Sequence, residues 1–187
     1  DRARLDAHLQ ARHDRGRVHV QIDELEQPVA AFGEAGVETN LARVLEGKLN
    51  RVDDAIARYL AIFEIDGENR EAIAQLDRIF TSLERWPQLV ENLRRQIGIT
   101  AEEQEIIALQ HRMGQIYQEN MNNLPQAIEA YRAILDIDPD HGQTRGALEL
   151  IFTEGEHQAE IAAILEPLYQ AGRNWEALIK LADVKLN

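Results

Sequence analysis

The chain repeats itself. Residues 41–93 laid over 113–165, an offset of 72, align without a gap, and 14 of the 53 positions are identical. Unrelated sequences of average composition would share about three. Ala55, Ile56, Tyr59, Ala61, Ile62, Ile65 and Asp66 meet Ala127, Ile128, Tyr131, Ala133, Ile134, Ile137 and Asp138. Leu76, Ile79, Phe80, Thr81, Glu84 and Leu93 meet Leu148, Ile151, Phe152, Thr153, Glu156 and Leu165. Most matches are apolar, so the copies share a core pattern. Such a repeat admits few folds, because each unit must bury its apolar face against its neighbours.

A shorter beat lies inside the long one. Leu148, Ile151, Phe152 and Ile161 are followed seventeen residues on by Leu165, Leu168, Tyr169 and Leu178. Seventeen residues make one helix and its turn, and two make a helical hairpin of about 34. Within 124–138 the apolar positions fall three and four apart, as on one helix face, and period-two alternation is absent. Turns are marked at Asp66-Gly67, Asp138-Pro139, Gly98 and Ala171-Gly172. Thr100 with Glu103 reads as a capping box opening a long helix, Pro125 suits a first turn, and Pro167 should kink or shorten its helix. These signals predict helices near 3–14, 17–31, 37–49, 52–65, 69–83, 86–97, 101–120, 124–137, 142–154, 158–171 and 174–186. Leu5, Leu9, Val18 and Ile22 join the pattern with one slip, 71 residues before Leu76, Phe80, Leu89 and Leu93.

Composition removes several functions. There is no cysteine, which excludes disulfide frameworks, thiolate zinc sites and a cysteine nucleophile. No apolar run approaches the ~20 residues of a membrane helix, so no membrane insertion is expected. The net charge is −13, the sum of +2 in residues 1–20 and −15 in residues 21–187, which argues against a phosphate-backbone partner. The Arg-rich start (Arg2, Arg4, Arg12, Arg15, Arg17) is interleaved with acids and reads as a solvated helix face. The chain opens at Asp1 without methionine, as expected of an excised piece of a longer protein.

The repeat resembles the tetratricopeptide family. That family has a large-small pair and an aromatic in its first helix, then Ala and an aromatic in the second, then Pro. Met113-Gly114, Tyr117, Ala127, Tyr131 and Pro139 fill those places in order. The earlier copy offers Leu41-Ala42, Leu45, Ala55 and Tyr59, with Gly67 in place of Pro. The alternate hairpins depart, with Asp77 and Glu149 in the small-residue position, and the first helix-turn junction carries one extra residue in both good copies. The alternation is similar to that of large bacterial scaffolding proteins with many degenerate repeats. The resemblance implies an all-α, right-handed α-solenoid of about five antiparallel helix pairs plus one odd terminal helix. It implies one domain over 1–187, with 1–35 the weakest match, double hairpins at 36–100 and 101–172, and an unpaired or capping helix at 173–187.

No chemistry-bearing constellation competes with this reading. Asp136, Asp138 and Asp140 imitate the start of a calcium loop, but His141 stands where Gly is needed and Ala147 where the bidentate Glu belongs. The six histidines form no ligand-spaced pair. Acid pairs such as Asp53-Asp54 and Glu102-Glu103 sit in first helical turns, where negative charge suits the dipole. No catalytic residue, metal site or cofactor is therefore expected, and the chain reads as a non-enzyme. Trp86 and Trp175 each open a helix, where packing is the favoured role over a partner hot spot.

The resemblance further implies that the first helices of the hairpins line a concave groove taking a peptide or helix. Its inner-face positions fall on Thr39, Asn40, Arg43, Glu46, His111, Arg112, Gln115, Gln118 and Glu119. An acidic array should favour a basic or amphipathic protein segment. Two alternatives stand beside this scaffold: a spacer that self-associates through its last helix (Trp175, Leu178, Ile179, Leu181), and an RNA-processing helical repeat, which the acidity disfavours.

Overall fold

A computed structural model describes residues 29–49 and 51–185, with side chains for 33–49 and 51–183. The expected helices at 3–14 and most of 17–31, the Arg-rich start and His8, His13 and His19 lie outside the described residues. Within them the chain is all-α: α1 (Val29–Gly47), α2 (Val52–Ile65), α3 (Arg70–Ser82), α4 (Trp86–Ile99), α5 (Glu103–Gln115), α6 (Leu124–Ile137), α7 (Gly142–Thr153), α8 (Gln158–Ala171) and α9 (Trp175–Lys185). The chain divides into two compact units, 1–83 and 84–187. That division falls inside the first double hairpin expected at 36–100. In the first unit α1 packs on α2 and α2 on α3; in the second each helix from α4 to α9 packs on the next in the chain. This serial packing of helical hairpins is solenoid architecture.

The apolar stripe of each helix faces its neighbours. Ala55, Ile56, Tyr59 and Ile62 of α2 are buried, and so are their repeat mates Ala127, Ile128, Tyr131 and Ile134 of α6. Leu76, Ile79 and Phe80 of α3 are buried like Leu148, Ile151 and Phe152 of α7. At ~1.5–3 kcal/mol for each large apolar side chain, these stripes supply most of the cohesion of both units. The large-small pairing also has a geometric basis. A Cβ added at Gly114 would lie 2.5 Å from Cε1 of Tyr131, so only glycine lets α5 and α6 approach this closely.

The repeat extends to backbone hydrogen bonds. The extra residue at the first helix-turn junction is absorbed as a π turn, Ile116–Asn120, closed by Met121 N–H donating to the Ile116 carbonyl at 3.0 Å. Its mate is Leu49 N–H to Val44 O at 3.2 Å. The next bond repeats too: Arg51 N–H reaches Leu45 O at 2.8 Å, and Asn123 N–H reaches Tyr117 O at 2.7 Å. One inserted residue that shifts the ladder from i+4 to i+5 is the usual origin of a π turn.

Several local expectations change. One holds: the break expected between 31 and 37 falls at Gly33 (φ 67°, ψ 170°), whose non-helical backbone divides the run 29–47. Thr100 is not the cap of α5. It ends α4 in an extended conformation, and its hydroxyl bonds Glu105, while Glu102 takes the N-cap position without a side-chain cap. Gly98 lies inside α4, which runs on to Ile99. Pro167 does not shorten α8, which runs through it to Ala171. Trp175 does not pack: it is 61% exposed, because the buried side of α9 is set by Leu181.

Candidate interaction surfaces

The nine inner-face residues divide between α1 of the first unit and the α5 segment of the second. On α1, Arg43 is exposed, whereas Asn40 and Glu46 are half-buried. Thr39 is buried, and its hydroxyl donates to the Ala35 carbonyl at 2.9 Å, so its polar atom is spent inside its own helix. Thr39 therefore presents no polar atom to a ligand. Glu46 accepts from the Arg78 guanidinium of α3. Two turns earlier on α1, Glu38 receives Arg58 of α2 through both carboxylate oxygens at 3.2 Å. Pairs as exposed as these contribute ~0–1 kcal/mol, and they fix geometry more than they stabilise.

On the α5 segment, Gln115 and Glu119 are exposed, and His111, Arg112 and Gln118 are half-buried. Gln118 accepts from the Tyr131 hydroxyl at 3.0 Å, so the helix-packing tyrosine also orients a surface amide. Burial, with Glu119 second, pushes the Tyr131 phenol up to about 12, so it remains a donor at any physiological pH. The His111 ring lies 5.9 Å from the Tyr131 ring and 6.0 Å from that of His141. Burial, then the neighbouring His141, lowers the His111 pKa, while its hydrogen bond with Gln115 opposes that shift. The face is thus a neutral imidazole and two amides flanked by Arg112 and Glu119.

Two of the acids that imitated a calcium loop, Asp138 and Asp140, are occupied with the turn after α6. Asp138 caps the helix and accepts from Asp140 N–H at 3.1 Å, and Arg145 stands 3.6 Å from the Asp140 carboxylate. Among the described residues no group of three or more His, Asp or Glu side chains is placed to hold a metal ion. None of their helices is long and apolar enough to cross a membrane.

Two features mark the C-terminal end, the first on the last helix that the sequence already offered as a self-association surface, the second not foreseen. Trp175 and Ile179, one turn apart on α9, are each 61% exposed. In the second unit the end of α7, the end of α8 and α9 also enclose a cleft of about 280 Å³. A helical wheel signals the first only if the neighbours of α9 are known. The second follows from how three helix ends meet, which spacing within one helix does not encode.

These elements define a class: an all-α protein made of repeated antiparallel helix pairs. Among solved structures the chain is similar to one titled "Crystal structure of MamA", at 15% sequence identity and a TM-score of 0.46, covering 89% of this chain and 95% of that one. No protein family and no curated protein matches the sequence.

Proposed function

We propose that this chain is a non-catalytic, tetratricopeptide-like interaction scaffold that binds a peptide or helical segment of a protein partner. The observation that carries the reading is the α5 segment. Its inner side is pinned by the Gly114–Tyr131 contact, while Gln115 and Glu119 stand in solvent beside His111, Arg112 and Gln118. Rigid elements that hold exposed polar groups suit recognition, since little ordering entropy is lost on binding. Arg43, Asn40 and Glu46 offer a comparable face on α1. The acidity of the chain favours a basic or amphipathic segment and salt-sensitive association.

The test is the double charge reversal Arg43→Glu with Arg112→Glu, in a chain checked for unchanged helicity. Loss of the proteins recovered by the wild-type chain is expected. Unchanged recovery overturns the assignment of these faces.

Trp175 and Ile179 favour a second reading, a spacer that self-associates through α9, because clustered exposed apolar side chains mark contact surfaces.

A further inference from the structure

The cleft among α7, α8 and α9 has the makings of a site. Its floor is apolar, with Phe152 and Leu181 only 2% and 3% exposed. Its wall carries Glu149, which accepts a hydrogen bond from the Tyr169 hydroxyl. Tyr169 is itself 2% exposed, so the acid is tethered to a rigid part of the core. Two cations stand nearby, and both are engaged. Lys180 pairs with Glu176 on its own helix at 3.2 Å. Arg145, one turn before Glu149, is turned to Asp140, 3.6 Å from its carboxylate and 3.1 Å from its carbonyl. Glu149 therefore has a phenol partner but no ion-pair contact among the described residues, although the Arg145 charge is felt at the Tyr169 phenol.

We propose that this cleft receives an arginine side chain from an exposed segment of a protein partner. A carboxylate above an aromatic and aliphatic floor matches the two halves of that side chain. The guanidinium forms paired hydrogen bonds to the acid, while the methylene stem lies along the apolar lining. Lysine offers neither the fork nor the planar face. Ligand pockets usually span ~300–1,000 Å³, so a cleft of about 280 Å³ suits one long side chain rather than a cofactor. The inference rests on the scaffold reading and names its partner chemistry, but it does not depend on the α1 and α5 faces.

The probe is the blocked tripeptide Ala-Arg-Ala, titrated into the full chain and followed by backbone amide chemical shifts. Its citrulline counterpart, nearly the same in shape but uncharged, is the control. Saturable shifts are expected at the amides of Asn174, Ala177 and Leu181 with arginine and not with citrulline. Glu149→Gln keeps an acceptor for Tyr169 and should weaken binding about tenfold or more. Lys180→Met removes the rim cation and should tighten binding, a gain that misfolding does not produce. Equal shifts with citrulline, or an unchanged affinity in Glu149→Gln, overturn the proposal. If the cleft is silent while the Arg43 and Arg112 reversals still abolish partner recovery, the cleft inference falls and the scaffold stands. If the cleft binds and the reversals are silent, the cleft is upheld and the α1 and α5 assignment falls.

Discussion

Tyr59 and Tyr131 occupy the same place in the two copies, yet their hydroxyls meet different fates. Tyr131 donates to Gln118, whose mate 72 residues earlier is Glu46. Glu46 is drawn to Arg78 instead, and the mate of Arg78 is Leu150, which carries no charge. The Tyr59 hydroxyl is left buried without a hydrogen-bond partner among the described residues. Tyr59→Phe should therefore be neutral or stabilising, whereas Tyr131→Phe should cost ~0.5–1.5 kcal/mol in denaturant unfolding. Equal losses would contradict this assignment. A second contrast concerns the N-caps. Asn69 caps α3 by accepting from Ala72 N–H at 2.9 Å, but its mate His141 makes no such cap and bonds Thr144 at 2.8 Å. His141→Asn is expected to add ~0.5–2 kcal/mol. The lowered pKa of His111 sets the sign of a pH effect. As pH falls through about 6.5 the unfolded imidazole takes up its proton first, so the folded chain loses stability as pH drops below that value. His111→Gln should flatten that part of the slope, and an unchanged slope would remove His111 as its source.

At the scale of elements, hairpin packing was legible in the sequence because size complementarity is local. Met113-Gly114 facing Tyr131 needs only the order of large and small residues on two adjacent helices. Tyr131→Ala should destabilise by ~3–5 kcal/mol, and Gly114→Ala by ~1–3 through overpacking, while exposed Glu129→Ala stays within ~0.5. Comparable effects for all three would disprove the register. Other signals were visible but misplaced. The extra residue at the helix-turn junction was evident, but not that a π turn takes it up at Ile116–Asn120, with an added i+5 bond from Leu49 to Val44 in the earlier copy. Thr100 has the spelling of a helix start, yet it follows Ile99 directly and closes the helix before it. Thr39 lies on the polar list by register, but its hydroxyl prefers the carbonyl of Ala35. Left-handed residues at Glu84, Asn122, His157 and Arg173 also went unforeseen, since Glu84 and Arg173 are not of the types, such as Asn and His, enriched in that conformation.

At the scale of the molecule, exposure depends on what stands beside an element, and that is where sequence reasoning stopped. Trp175 opens α9 much as Trp86 opens α4, but Trp86 is half-buried and Trp175 stands out in solvent. Sedimentation of the chain with Trp175→Glu and Ile179→Lys should show less concentration-dependent association than the wild type. Equal behaviour would remove α9 as a self-association surface. The central claim is that this chain works by docking a polypeptide on the solvent faces of rigid helices. Its most direct test is hydrogen exchange of the chain with and without a partner recovered by it. Slower exchange is expected in the segments holding Asn40–Glu46 and His111–Glu119. Exchange in both segments unaffected by the partner would contradict it.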